Sequence, residues 1–355
     1  MYIHKSICIS PQHTFSQINL EAIVSSIDNK LIVIEPKYEN IPLNILRRMG
    51  KAVRMGVGAA LPLIKDHPEL NGIIIGTANG GMEDCIKFLY QVIRYDEGKL
   101  TPTNFVQSTN NAIASQIGLS TRNNGYNITH VHRGLAFENA LLDAMMLLAE
   151  NPNSTYLLGS VDEISSYNYN LENLGGWYKK EIISNSDLYK NNTTGSIAGE
   201  HAAMFIVNNT QNDSSAKVKA IKTLHTGKTE EVTEQLQLFL QRNLSANPEG
   251  VNQPVDLFLT GENGDSRHNH FYHSCEELFN NHTSACRFKH LSGEHPTVVS
   301  FALWLSCFIL STQHVPRHIL KNDYNKKPIN PNGVNTILIY NNSKGLQHSF
   351  ILLEK

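Results

Sequence analysis

The hydrophobic pattern of this chain changes period repeatedly along its length. Short continuous apolar runs at Leu31–Ile34, Gly72–Ile75, Ile128–Val131, Tyr156–Leu158 and Ala202–Val207 read as buried strands. Stretches of helical spacing separate them. Leu46, Met49, Val53 and Val57 share one face of a helix expected from Pro42 to Ile64, and further helices cover Met82 to Arg94 and Leu135 to Ala149. The polar stretch 208–215 (NNTQNDSS) interrupts the pattern, and then the alternation resumes. Lys217–Ile221, Val255–Leu259, Thr336–Tyr340 and Ser349–Leu353 read as strands, and Glu230–Leu244 and Thr297–Leu310 as helices. Strands alternating with helices imply α/β layers. The polar stretch divides the chain into an N-terminal half, 1–210, and a C-terminal half, 211–355, whose similar grammar points to an internal duplication.

Composition narrows the function classes. The 355 residues are 41% hydrophobic and 17% charged, enough to bury a sizeable core and unlike a disordered chain. A net charge of −2 gives no footing for a nucleic-acid or anionic-membrane partner. No apolar run reaches the roughly 20 residues that cross a bilayer, since Val298–Leu310 is broken by Ser300 and Ser306. The first residues, MYIHKSICIS, lack the apolar core of a signal peptide, so the expected location is the cytoplasm. Five cysteines without a repeated spacing do not make a disulfide framework, and Cys8, Cys85 and Cys307 lie in apolar runs as core residues do.

Three segments invite chemistry. The turn 76–81 (GTANGG) follows a strand as a phosphate loop does, but it has neither a Lys-Ser/Thr ending nor G-x-G-x-x-G, and it reads as a tight turn. His268, His270, His273 and Cys275 are good metal-ligand types. Packed into eight residues they cannot all converge on one ion, and the segment reads as the histidine-rich start of a helix. No metal or cofactor is expected. The third segment, His130-Val131-His132-Arg133-Gly134, stands between a strand and a helix, where the helix N-terminus stabilises an anion and nucleophiles are commonly placed. No Ser, Cys or Thr occupies this turn.

These pieces, in this order, resemble the β-ketoacyl synthase family. Residues 47–64 (RRMGKAVRMGVGAALPLI) resemble its first long helix, 72–84 (GIIIGTANGGMED) its I-G-T-G-x-G-G-x-E segment, and Pro102 to Asn111 its P-x-x-V-x-x-x-x-N stretch near the dimer axis. From Gly125 to Glu163 the match is continuous, with 158–162 (LGSVD) on A-G-G-x-E. That register puts Gly134 on the catalytic cysteine, and a looser one puts Val131 or His132 there. Residues 195–202 (GSIAGEHA) resemble G-F-V-x-G-E-G-A. Val255 to Gly264 resembles V-D-x-V-N-A-H-G-T, with Gly261 or Glu262 on the first catalytic histidine. Residues 289–294 (KHLSGE) resemble K-x-x-T-G-H, with Glu294, or His295 after a slip of one, on the second. Residues 342–346 (NSKGL) resemble N-S-F-G-F, with Leu346 on the gating phenylalanine.

The resemblance implies a thiolase-like fold: two similar βαβαβ halves in a layered αβαβα arrangement. It also implies a degenerate active site. Condensation needs a thiolate to take the acyl group and two histidines to stabilise the developing negative charge. A glutamate in their place repels an oxyanion and is deprotonated at neutral pH. Within the family this pattern resembles the chain length factor, which has lost its catalytic residues. That subunit pairs as a heterodimer with an active ketosynthase and shapes the chain carried on acyl carrier protein, in polyketide, aryl-polyene or fatty-acid-type biosynthesis. Asn104, Phe105, Val106, Asn110, Asn111, His130, Val131, Arg133 and Leu346 are then the expected interface and tunnel wall. Arg47, Arg48, Lys51 and Arg54 form a basic face that reads first as an ordinary solvated face, with contact to an acidic carrier protein as the alternative. Two alternatives stand beside this reading. One is an active enzyme that uses His132, or Glu262 and Glu294, to decarboxylate a malonyl group. The other is a scaffold or binding protein that has kept the fold.

Overall fold

The computed structural model describes residues 1–244, 255–279, 282–321 and 333–355. In chain order, the strands of the first half are β1 (Tyr2–Ile9), β2 (Lys30–Leu31), β3 (Gly72–Gly76), β4 (Tyr126–His130), β5 (Tyr156–Asp162), β6 (Ala198–Gly199) and β7 (His201–Asn208). Those of the second are β8 (Ala216–His225), β9 (Leu257–Thr260), β10 (Ser284–Arg287), β11 (Thr336–Ser343) and β12 (Gln347–Glu354). The helices are α1 (Leu43–Leu46), α2 (Lys51–Asp66), α3 (Met82–Arg94), α4 (Pro102–Gln107), α5 (Ala112–Thr121), α6 (Ala136–Glu150), α7 (Ser166–Leu174), α8 (Thr229–Asn243), α9 (Asn269–Glu276), α10 (Lys289–Ser292) and α11 (Val299–Thr312).

Ten strands form one mixed sheet in the order β10-β9-β11-β12-β8-β1-β7-β5-β3-β4. The duplication expected from the sequence is written in this order. β4, β3 and β5 run parallel, followed by antiparallel β7 and β1. β10, β9 and β11 likewise run parallel, followed by antiparallel β12 and β8. The two five-stranded units join through the short β1–β8 pairing at Tyr2 and Ile3.

Helices fill three layers about these units. α2 and α5 cover the outer face of the first unit, where α2 lies on β7, β1 and β5. α8 covers the outer face of the second, against β8 and β12. α6 and α11 lie between the two, α11 touching β1 and β7 on one side and β11 and β8 on the other. A helix buried on all sides must be apolar all round. α11 (VSFALWLSCFILST) meets that requirement, with Trp304, Phe301 and Leu305 in the central core cluster. Its two interior serines stay within the fold: Ser306 donates to Ala302 O, and Ser300 joins a polar network described below. This arrangement is the expected αβαβα layering.

The helix expected from Pro42 to Ile64 is broken. α1 ends at Leu46, and α2 starts at Lys51 after Gly50, whose amide donates to Gln107 Oε1 at 2.6 Å. The glycines of α2 are packing sites, since a Cβ on Gly56 would lie 2.6 Å from Ile113 Cγ2. The basic face is also reduced. Lys51 pairs with Glu200 at 2.5 Å and Arg54 with Glu35 at 2.7 Å, which leaves Arg47 and Arg48 exposed. His268 to Cys275 spans the N-cap and most of α9, and no metal-binding cluster of His, Cys, Asp or Glu occurs among the described residues. Among the described residues no helix is long and apolar enough to cross a membrane.

Candidate functional site

A cleft of about 260 Å³ opens where the C-terminal ends of β5 and β9 meet the start of α6 and the β11–β12 hairpin. Ala78, Arg133, Asp162, Glu163, Asn263, Glu294, His295, Ser343, Leu346 and Gln347 line it, with Tyr169, Trp177 and Tyr178 on one wall. A second opening of about 570 Å³ shares Asn79, Arg133, Asn168 and Gln347 with the first and adds Met82, Val131, His132 and Leu171. Of the residues singled out from the sequence, the structure brings Val131, His132, Arg133, Gly134, Glu294, His295 and Leu346 to this double cleft. It leaves Gly261 and Glu262 outside. Gly261 is packed so closely that a Cβ would lie 2.3 Å from Asn341 Oδ1. Glu262 is held in a buried ion cluster with Arg287 at 3.3 Å and Lys321 at 2.6 Å.

The strand-to-helix turn has the geometry of a nucleophile elbow. β4 stops at His130, and Arg133 adopts the left-handed conformation at φ 45° before α6 begins. A non-glycine residue held there is strained, and such strain concentrates at functional turns. The strained residue at the tip is Arg133 rather than Gly134. Gly134 behind it is filled in, because a Cβ there would lie 2.3 Å from both Cβ and Oγ of Ser343 and 3.0 Å from Gln347 Oε1. Its amide is also taken, donating to Gln347 Oε1 at 3.1 Å.

The opposite wall carries a carboxylate. Glu294 Oε2 accepts from Lys289 Nζ at 2.7 Å and from Asn263 Nδ2 at 2.6 Å. Lys289 is fully buried, and burial pulls its ammonium below the ordinary lysine value. A buried charge of this kind persists when it is paired, and the lysine gives Glu294 its partner.

Beside Glu294, His295 heads a buried chain. His295 Nε2 and His201 Nδ1 share a hydrogen bond of 2.5 Å, His201 Nε2 meets Ser300 Oγ, and Ser300 Oγ meets Ser160 Oγ at 2.6 Å. Burial pushes His201 down to about 3 and holds His295 well below its ordinary value, so both rings are neutral. Ser300 Oγ also lies 3.2 Å from Thr297 O. Ser160, Ser300, His201 and His295 thus form one continuous hydrogen-bonded chain whose direction follows from the tautomers of the two rings, and His295 Nδ1 stands at its end. That nitrogen is buried without a partner.

Asp162 closes the floor. It accepts from the amides of Asn79 at 2.9 Å and Ala78 at 3.1 Å and from the hydroxyls of Thr77 and Thr297. Burial nevertheless pushes it up to about 6. The GTANGG turn thus turns its amides on an internal carboxylate, which agrees with its reading as a tight turn. Glu163 next to it is pushed up to about 7, first by burial and then by the negative charges of Glu200, Asp84 and Glu83.

The interface candidates gather at the open edge of the sheet. β4 is a terminal strand, and Val131, Leu142 and Met146 beside it are exposed. α3 buries none of its residues, and Leu89, Tyr90 and Ile93 stand out from it. Phe105 and Val106 of α4 add to this face, Phe105 packing on Phe88 with ring centroids 5.3 Å apart. Asn111 is tied down by Thr129 Oγ1 at 2.7 Å, and His130 bonds Asp143 at 2.9 Å. Asn104, half-buried in α4, and exposed Asn110 lie on either side of the α4 C-terminus.

The family profile "Beta-ketoacyl synthase, N-terminal domain" matches residues 27–242. The chain belongs to the β-ketoacyl synthase family. None of the curated proteins matches it significantly in sequence. Its fold is the thiolase-like fold of ketosynthases. A β-ketoacyl synthase from Burkholderia phymatum superposes with a TM-score of 0.74 at 12% identity, covering 100% of this chain and 98% of that one. The ishigamide ketosynthase/chain length factor gives 0.75 at 14% identity over 100% and 98%. The ketosynthase AntDE, in complex with the type II PKS acyl-carrier protein AntF, gives 0.75 at 10% over 99% and 98%.

The sequence alone did not mark Asp162, His201, Asn263 or Lys289 as site residues. His201 carried a signal, a histidine at the head of the apolar strand His201–Asn208. Asn263 carried none, because its approach to Glu294 depends on how two distant turns meet.

Proposed function

We propose that this ketosynthase-like chain is a non-catalytic subunit of the chain length factor type. In this reading it pairs with an active ketosynthase and helps to shape a polyketide or related chain carried on acyl carrier protein. The observation that carries it is the filled turn. Arginine stands at the elbow tip, Ser343 and Gln347 occupy the space behind it, and none of the five cysteines lines the cleft. An elbow without a nucleophile cannot take an acyl group. The carboxylate of Glu294 disfavours oxyanion stabilisation as well. The exposed apolar face along β4, α3 and α4 supports the pairing, since an open strand edge with such a face invites a partner. The resemblance to a ketosynthase/chain length factor pair and to a ketosynthase bound to its carrier protein supports the same partners.

The test is a pull-down of tagged protein from its native host, with retained partners identified by mass and stoichiometry. A one-to-one complex with a cysteine-bearing ketosynthase is the expected result. A homodimer free of any ketosynthase sinks the proposal, and the purified protein would then be assayed for malonyl decarboxylation.

A further inference from the structure

The filled turn contains a second arrangement that the missing nucleophile does not explain. At the start of α6, the amide of Leu135 is bonded within the turn to His132 O and that of Ala136 to Arg133 O. The amide of Gly134 has no such backbone partner, and it points to the Gln347 carboxamide oxygen at 3.1 Å. Gln347 is the first residue of β12 and is brought over the turn by the hairpin after Ser343. Its Nε2 lies 3.5 Å from His132 Nδ1, so the other side of the carboxamide also faces the turn. A carboxamide oxygen has the shape and partial charge of the acyl carbonyl oxygen that a helix-start amide beside an elbow receives during acyl transfer.

We propose that Gln347 is a built-in occupant of the carbonyl-binding amide at this turn, an autoinhibitory contact that keeps the elbow closed to acyl groups. It rests on the reading of the elbow as chemically silent and adds a second, separate cause of that silence. Removing the nucleophile alone leaves an open receptor for a thioester carbonyl. Filling the receptor from β12 stops the subunit from competing for the acyl chains its partner must take.

The inference predicts that a nucleophile restored at the tip stays poor until Gln347 is removed. Three variants of the full chain are compared with the parent: Arg133→Cys, Arg133→Cys/Gln347→Ala and Gln347→Ala. The first probe is 4-nitrophenyl acetate. The introduced thiolate attacks its carbonyl carbon, a C–S bond forms, the ester C–O bond breaks, 4-nitrophenolate leaves with the electron pair, and buffer takes up the thiol proton. The second probe is iodoacetamide: the same thiolate attacks its methylene carbon, a C–S bond forms, the C–I bond breaks and iodide leaves, so no oxyanion forms and the probe reports access alone. One oxyanion donor is worth about 10²–10³ in rate. The ratio of acetylation to alkylation is therefore expected to rise at least tenfold from Arg133→Cys to the double variant. An unchanged ratio overturns the proposal.

A measurement on Gln347→Ala keeps the question decidable if the introduced thiol proves unreactive. Hydrogen exchange of the Gly134 amide should be at least tenfold faster than in the parent, and an unchanged rate overturns the proposal. Neither measurement depends on a ketosynthase partner. A failure here and a failure of the subunit reading are therefore told apart.

Discussion

At the scale of single residues, Ser343 and Gln347 leave no room for a side chain at Gly134. Gly134→Cys, the change that the sequence register suggests would restore a nucleophile, should fail. Its Cβ would collide with Ser343 at 2.3 Å, and overpacking of that kind costs about 1–3 kcal/mol. Urea unfolding should show the loss, and alkylation by iodoacetamide should stay at the parent rate. A stable variant with a fast new thiol would contradict this account. His201 allows a pH prediction. Folded, burial holds it down to about 3, while the unfolded ring titrates near its ordinary value of about 6.5. Between the two the unfolded chain binds the extra proton, so this contribution to stability is complete above about pH 6.5 and is lost as pH falls toward 3. From pH 7 to pH 5 the parent should therefore lose about 2 kcal/mol more stability than His201→Gln, one proton over roughly 1.5 pH units. Urea unfolding at pH 7, 6 and 5 measures the difference, and parallel pH profiles would refute the assignment.

At the scale of elements, the sequence made α3 legible almost residue for residue, because Met82 to Arg94 keeps a clean helical period. It did not reveal that this apolar face is left uncovered. Periodicity reports which face is apolar, and what covers it is settled by the rest of the fold or by a partner. The break before α2 was also hidden, since Leu46 and Met49 keep the helical spacing across it while the chain is held by Gln107 bonding Gly50 and Arg48. Short β10 and the loop helices α4, α5 and α7 carry too little period to be read. On the uncovered face, Ile93→Glu/Phe105→Glu should abolish co-purification with the ketosynthase. It should leave the thermal midpoint within about 2 °C of the parent, because Ile93 is 82% and Phe105 59% exposed. Retained co-purification would place the interface elsewhere. The loop from Gly176 to Ser196 behaves differently. Lys179 Nζ is clamped by Gly264 O at 2.7 Å and by the carbonyl and hydroxyl oxygens of Thr193, both at 2.9 Å. Lys179→Met removes the donor from the buried Gly264 carbonyl oxygen, at about 1–3 kcal/mol, while the exposed Thr193 keeps water and the Ser266 amide as partners. Faster amide exchange across 176–196 with a lower unfolding midpoint is expected, and unaltered exchange would show that the lysine does not hold the cleft wall.

At the scale of the whole molecule, two five-stranded units of the same order and sense enclose α6 and α11, and the cleft lies where their strand ends meet. Alternation of strands and helices anticipated α/β layers, and the resemblance to the β-ketoacyl synthase family supplied the five-layer arrangement. The site was less legible, because its members come from turns far apart in the chain. Glu294 and His295 were found through a short motif, whereas Gln347 and Ser343 reach Gly134 only once the β11–β12 hairpin folds over α6. The same geometry separates two roles on the surface. In the proposed reading the cleft is shut toward chemistry, while its second opening runs out past Val131 toward the face that carries α3 and α4. If a ketosynthase docks on that face, Phe105 and Val106 become part of the wall that meets its growing chain, and their bulk limits the space beyond the reacting end. In the reconstituted complex with carrier protein, Phe105→Ala should shift products to longer chains by at least one condensation unit at a similar total turnover. A catalytic role for this chain would instead make turnover fall in proportion to damage at its own cleft. Mass spectrometry of the released products, run beside Arg133→Ala as the cleft variant, separates the two. Longer products from Phe105→Ala with undiminished turnover from Arg133→Ala are expected, and unchanged lengths with turnover lost in Arg133→Ala would return the chemistry to this subunit.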